Sequence, residues 1–259
     1  MRVAVCCKAV ATDVTADSVS VVDGDLRCNV GELYINEFDE YALEAAMALK
    51  KTYSAETFAV TVGSLRSQEA LYMALAKGID NVARINGDTS HPELVAGALI
   101  SFLKEIGPQI ILVGVQSEDW MGSEVGPYIA EGLGASLGFA VVEITELNDS
   151  QVRVKKEIGG GDKTDVILTL PAVLCVQSGI HQLQYVSALR RRKVRDLPVK
   201  MWGKLEDIAL PDNIKGIMNY RMKEVAAPEG ESQAVMIPGD KSEKAKAILE
   251  ILKKNLSAG

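Results

Sequence analysis

The sequence is poor in the residues from which most active sites are assembled. It has two histidines, four cysteines and 5% aromatic residues among 259. Two histidines leave little general-base capacity near neutral pH. Cys6 and Cys7 are adjacent while Cys28 and Cys175 stand alone. No CxxC pair exists, and with only His91 and His181 besides, a closed Cys/His zinc site has no support. The cysteines read as small buried hydrophobes of a reducing compartment. Neither GxxxxGK[ST] nor GxGxxG occurs, which excludes a Walker ATPase and a standard Rossmann hydride enzyme. No carboxylate pair at a diagnostic spacing is present. Positive charge is short as well, with 28 Lys+Arg against 35 Asp+Glu and a net charge of -7. That balance argues against a general nucleic-acid binder, which displaces phosphate counterions with a basic surface. The longest apolar run, Val166 to Val176, falls short of the roughly 20 residues that a bilayer helix needs, so no membrane insertion is expected. The opening MRVAVCCKAV meets polar and acidic residues after a few positions, unlike a secretory leader, and the chain reads as cytoplasmic.

What is present suits a large core. Hydrophobic residues make up 47%, and a chain this long buries roughly 70–75% of its unfolded surface without staples. Strand and helix signals alternate from the start. Arg2–Cys7 is a short apolar, β-leaning run. Asp39–Lys51 places Tyr41, Leu43, Ala46 and Met47 at helical spacing behind a capping-type Asp39. Thr57–Val62 predicts a second strand. Ser67 is placed to cap a helix carrying Ala70, Leu71, Ala74 and Leu75, with Gly78 as its stop. Val82–Ile85 is a short strand, and Ser90 precedes a helix from about Pro92 to Glu105. Ile110–Gly114 is the clearest buried strand, a continuous apolar stretch of the kind found in parallel sheets covered on both faces. A polar loop, Val115–Val125, leads to a helix from Gly126 to about Gly132. This alternation implies right-handed crossovers and an α/β, doubly wound, mostly parallel sheet.

From Phe139 the pattern changes. Phe139–Thr145, Gln151–Ile158 and Thr164–Leu170 read as strands joined at Asn148-Asp149 and Gly159-Gly160-Gly161. They form an added antiparallel hairpin, with Ala172–Gln177 as a returning buried strand. After about Met201 the periodicity weakens, and Pro211, Pro228 and Pro238 mark an extended arm. Lys241–Leu256 closes the chain as an amphipathic helix with Ala245, Ile248, Leu249 and Leu252 on one face. An isolated helix of about this length is marginal in water, so its stripe must dock somewhere. The expected organisation is a nucleotide-binding α/β domain over 1–200, then an arm and terminal helix over 201–259.

In open parallel sheets, ligands bind beyond the carboxyl ends of the strands where strand order reverses. That selects the loops after Cys6/Cys7, after Val62 and after Gly114. The last, GVQSEDWMGSEVG, offers Gly114, Gly122 and Gly126 for close approach, Ser123 as a donor and a helix N-terminus for an anion. The chemistry suits a phosphate or pyrophosphate, and equally an ordinary capped loop.

Five segments, in order, resemble the beta subunits of electron transfer flavoproteins over residues 1 to about 200. RVAVCCKAV is similar to their opening strand and lysine. INEFDEYALEAAMALK resembles their Asn-Pro-Phe-Asp-Glu-x-Ala-Leu-Glu-Glu-Ala segment. VGSLRSQEALYMALAKGIDNVARI resembles their Gly-Pro-x-x-x-x-Glu-x-Leu-x-x-Ala-Leu-Ala-Met-Gly-Ala-Asp stretch. IILVGVQSEDWMGSEVGPYIAEGLG is similar to their nucleotide loop, and EIGGGDKTDVILTLPAVLCV to their hairpin and Leu-Pro-Ala-Val strand. The resemblance implies a carrier chain paired with an alpha subunit that makes most of the FAD contacts, this chain holding AMP or, in an electron-bifurcating branch, a second FAD. Carried over by position, the adenine side would be met by Cys6, Asn36, Glu37, Phe38, Asp39 and Val62. Phosphate contacts would come from Gly114, Gln116, Trp120, Met121, Gly122, Ser123, Glu124 and Val125. Phe38 would approach the flavin of the alpha subunit.

The chain departs from the family pattern at defined places. The loop that usually reads Asp-Asp-Asp-x-Asn-Gln-Thr-Gly is here Asp119 through Gly126, with Val125 in place of the threonine and Glu124 in place of the glutamine. A carboxylate beside a phosphate is repulsive unless a cation intervenes. Asn-Pro-Phe becomes Asn36-Glu37-Phe38, and Val125-Gly126-Pro127 is similar to the bifurcating branch. Gln182–Arg195 corresponds to the family's recognition loop, which docks acyl-CoA-type dehydrogenases or other flavin or iron-sulfur redox partners. There Tyr185, Ala188, Leu189, Arg190, Arg191 and Lys193, together with Arg192 and Arg195, form either a solvated charge run or a steering patch for an acidic surface. Two other readings stay open: a subunit of an NADH-linked bifurcating complex, and a homo-oligomeric adenine-nucleotide sensor without flavin.

Overall fold

The strands are apolar on both faces because both faces are covered by helices. In β1 (Arg2–Cys6), β6 (Glu56–Val62), β8 (Ile110–Gly114) and β12 (Ala172–Val176), successive residues enter two different cores. Val3, Val5, Ile110, Leu112, Ala172 and Leu174 pack into one cluster, with Ala42, Leu43 and Ala46 of α1 (Glu37–Tyr53) and Leu71 of α2 (Gln68–Lys77). Ala4, Cys6, Val60, Val62, Ile111, Val113, Val173 and Cys175 enter the other, with Leu99 and Leu103 of α3 (Pro92–Ile106) and Ile129 of α4 (Val125–Leu133). Period-two alternation between two apolar layers reads in the sequence as a continuous apolar run.

The structure, a computed structural model, describes residues 1–11, 19–22, 25–28, 31–87, 91–209 and 234–256. Its nine-stranded sheet has the order β11-β10-β9-β12-β8-β1-β6-β7-β13. All neighbouring pairs from β9 (Ser136–Leu147) through β7 (Asn81–Asn86) to β13 (Lys200–Lys204) are parallel. The antiparallel addition is β9-β10-β11, with β10 at Gln151–Gly159 and β11 at Asp162–Thr169. The expected α/β class, parallel centre and added hairpin are therefore present. Strand order reverses between β1 and β8, where a crevice opens at the carboxyl ends.

Several local expectations are corrected. Helix α1 begins at Glu37 with Asn36 at the N-cap, so Asp39 lies inside the first turn instead of capping it. Ser67 sits at the N-cap of α2 without a side-chain hydrogen bond. Gly78 ends that helix in the left-handed conformation at φ 110, as anticipated. Ser90 lies outside the described residues, and His91 stands at the N-cap of α3 with Pro92 in the first turn. Two short ladders were not anticipated, β2 (Ala9–Ala11) with β5 (Leu33–Ile35) and β3 (Val19–Val22) with β4 (Asp25–Cys28). β13 also crosses the boundary drawn at 200. It extends the sheet beside β7, and Trp202 donates its indole N–H to Glu105 at 2.8 Å while meeting Phe102 edge-on at 5.5 Å. By internal contacts the chain divides into Met1–Val225 and Ala226–Gly259. Most of the anticipated arm falls outside the described residues. In the second unit, the helix expected at Lys241–Leu256 forms over that span as α6, with Ile248, Leu249, Ile251 and Leu252 each about half exposed. Among the described residues, no helix is long and apolar enough to cross a membrane.

Candidate functional site

Two side chains at the start of α1, the N-cap Asn36 and Asp39 in the first turn, hold the crevice together. Asp39 accepts the Lys8 backbone N–H at 2.7 Å on one carboxylate oxygen and the Gly114 N–H at 2.8 Å on the other. It thereby joins the ends of β1 and β8. Asn36 donates its amide N–H to the Gln116 carbonyl at 2.9 Å and accepts the Glu118 N–H at 3.0 Å. The β8–α4 loop is thus fastened to the start of α1 by a residue only 1% exposed. Tyr34 adds an outer tie, donating its hydroxyl to Glu118 at 2.5 Å. That bond to a carboxylate pushes the Tyr34 phenol up to about 12.

Burial pushes the Asp39 carboxyl up to about 7, and the hydrogen bonds from Lys8, Gly114 and Asn36 oppose that rise. Two backbone donors, one per oxygen, favour the ionised form, but burial outweighs them, so near neutrality protonated and ionised forms are both populated. Glycine at 114 follows from the same contact. A Cβ there would stand 2.6 Å from Asp39 Oδ1 and 2.7 Å from Phe38 Cβ. At Gly126 a Cβ would collide with Cys175 Sγ, so α4 enters directly against β12.

The resulting cleft encloses about 810 Å³, including its open mouth. Its wall brings together Cys6, Asn36, Asp39, Val62, Gly114, Gln116, Trp120, Gly122, Ser123, Glu124 and Val125 from the anticipated set. Glu37, Phe38 and Met121 lie off it: Glu37 is exposed, Phe38 packs half-buried on the second core cluster, and Met121 is 65% exposed. Sequence reasoning missed Cys7, Lys8 and Ser117, and also Pro92, Val95 and Leu99 from α3. Lys8 had a signal, a lysine directly after a buried strand at a carboxyl end. The α3 residues had none, since their helical spacing reads equally as core. Burial pushes the Cys6 and Cys7 thiols well up and that of Cys175 up to about 12, so all three stay protonated. The wall offers a ligand hydrogen bonds, one ammonium and apolar surface. The N–H groups of Val125 and Gly126 lie in the first turn of α4, which has no intrahelical acceptor for them. These features fit a nucleotide: close backbone approach at the switch point and donors for an anion.

The second anticipated region, Gln182–Arg195, is irregular over 182–187 and helical after that. Ala188–Val194 forms the seven-residue α5, capped by Ser187, whose hydroxyl accepts the Arg190 N–H at 3.3 Å. Val186 and Val194 are buried with Ala76. At one end Lys77, its side chain 2% exposed, donates to Glu44 at 2.5 Å and to the Gln184 carbonyl at 3.2 Å, while the Gln184 N–H donates to the same Glu44 oxygen at 2.8 Å. Glu40 lies 2.9 Å from Lys77 as well. At the other end Arg195 pairs with Glu69 at 2.6 Å and sits over Tyr72. Between these anchors Tyr185 is 87% and Leu189 65% exposed. Ala188 and the basic Arg190, Arg191, Arg192 and Lys193 are also exposed. The charge run thus stands on a short helix fixed at both ends.

Comparison with known proteins finds similarity over most of the chain. The family model for the electron transfer flavoprotein domain matches residues 30–201. An electron transfer flavoprotein subunit beta from Methylophilus methylotrophus is 30% identical over 226 residues, covering 84% of this chain and 85% of that protein. A protein of the same description from Bacillus subtilis is 26% identical over 243 residues, covering 92% and 93%.

Proposed function

This chain belongs to the electron transfer flavoprotein family, and we propose that it acts there as the beta subunit of a heterodimer whose alpha subunit carries the redox FAD. In that role it completes the FAD site, holds a nucleotide of its own in the β1/β8 cleft, either AMP or a second FAD, and docks electron donors or acceptors through α5. The observation that carries the reading is the stitched cleft. Asn36 and Asp39 fix the ends of two strands and the following loop, so that backbone donors and glycines face a pocket at the switch point.

Bound FAD would supply the redox chemistry. This chain's residues bind, orient and exclude water. The protonated thiols of Cys6 and Cys7 give the floor an apolar character suited to a base, and the α4 N-terminus suits a phosphate. The exposed pairing of Tyr185 and Leu189 with a basic run suits an acidic surface bearing an apolar socket, whose approach it would accelerate. The chain is placed in the cytoplasm by this reading.

Co-expression with an alpha-type chain and analysis of released nucleotide test the proposal. One FAD with AMP supports the carrier. Two FAD per heterodimer support an NADH-linked bifurcating complex, the variant that the Val125-Gly126-Pro127 sequence favours. A flavin-free homo-oligomer holding AMP or ATP overturns both in favour of a nucleotide sensor.

A further inference from the structure

The cleft wall is poor in positive charge for a site that would take phosphate. Among the described residues lining it, Lys8 is the one cation, set against the carboxylates of Asp39 and Glu124. The Lys8 backbone cannot drift, because its N–H is held by Asp39 at 2.7 Å and its carbonyl by the Asn36 N–H at 2.9 Å. Its ammonium is committed only loosely. It reaches Asp119 Oδ1 at 2.7 Å and Ser117 Oγ at 3.3 Å, and both ends of the ion pair are 32% exposed. An ion pair with that much water around it contributes little. A phosphate oxygen offers the same ammonium a more highly charged acceptor.

We propose that Lys8 is the phosphate-reading residue of this cleft, and that Asp119 is a stand-in partner which the ligand's phosphate displaces. The exchange places the ammonium between the incoming dianion and the wall carboxylates, offsetting the repulsion that Glu124 introduces. It also frees the exposed part of the loop around Asp119, while Asn36 continues to hold Gln116 and Glu118. The inference rests on the nucleotide reading above and adds a binding residue and a competitor to it.

The test is calorimetric titration of the full-length chain, dialysed free of bound nucleotide, with AMP and with adenosine. Lys8→Met should weaken AMP about 10-fold or more and leave adenosine within about twofold, since only the charged bond is lost. Lys8→Arg should restore most of the AMP affinity. Asp119→Asn should tighten AMP severalfold without changing adenosine, because a competitor is removed. AMP affinity unchanged by Lys8→Met, or AMP and adenosine weakened together, overturns the proposal and leaves the nucleotide reading standing. A wild-type chain that binds neither AMP, adenosine nor FAD overturns the nucleotide reading and the proposal with it. The same series with FAD in place of AMP covers a dinucleotide occupant.

Discussion

The cleft and the α5 segment are fastened with different chemistry. At the cleft, one buried carboxylate and one buried amide bind backbone groups, so the strand ends and loop are set by main-chain hydrogen bonds. At the α5 segment, the buried Lys77–Glu44 ion pair also grips the backbone of Gln184, the more exposed Arg195–Glu69 pair holds the other end, and the charges between are left to water. Backbone fastening suits a site that presents N–H groups to a small ligand. Ion pairs at the ends leave a short helix whose charges project into water.

The largest effect should come from breaking the buried clasp. Lys77→Met leaves Glu44 buried without its cation and should cost about 3 kcal/mol of unfolding free energy in urea titration. The double change Lys77→Met with Glu44→Leu should recover much of that loss, because apolar replacement of a buried pair is often close to neutral. The Gln184 amide should lose its hydrogen-exchange protection in the double variant, since its acceptor Glu44 is gone. Full protection there would remove the clasp from the account.

Gly114→Ala attacks the other fastening. Its Cβ must displace the Asp39 carboxylate or Phe38, and overpacking of that kind costs about 1–3 kcal/mol. The telling readout is nucleotide content, which should fall in Gly114→Ala and hold in the Lys77 variants. If both lose nucleotide equally, the two regions are not independent.

A smaller effect separates them by pH. The folded-state Asp39 carboxyl is raised to about 7 by burial, against about 4 in the unfolded chain. The folded protein therefore keeps a proton that the unfolded chain has released. The stability this group contributes is complete below about pH 4 and is lost as the pH rises through 7. Asp39→Asn should remove that slope from a pH series of melting curves. It should also cost about 1–3 kcal/mol, because an amide turns a donor toward one of the two backbone N–H groups. An unchanged slope would mean that another group titrates there.

The sequence disclosed the parts governed by periodicity. Ile110–Gly114 and Ala172–Val176 are apolar at every position but the last of the first, and only a sheet covered on both sides buries such strands. Turn chemistry was equally legible at Asn148, whose side chain accepts the N–H groups of Ser150 and Gln151 at 3.0 Å. What escaped had no local signature. β13 reads Lys-Met-Trp-Gly-Lys, an exposed edge strand whose flanking lysines suit an edge and whose pairing to β7 is nonlocal. α5 buries one valine, Val194, and Val186 lies just before it, too few apolar positions for a helical period in a run of basic residues. Asp39 looked like a cap because capping is the common use of an aspartate at a helix start. Its carboxylate turns instead to the ends of two strands, one of them 75 positions away along the chain.

The central claim, that the β1/β8 cleft is where this chain holds a nucleotide, is tested most directly by Gly122→Asp in the purified complex with an alpha subunit. A side chain at 122 would meet Glu124 Oε1 at 2.7 Å and set another carboxylate directly beside it. Released-nucleotide analysis should then show this chain's own nucleotide gone, with the alpha-subunit FAD and the melting temperature retained. Full nucleotide content in that variant would contradict the assignment.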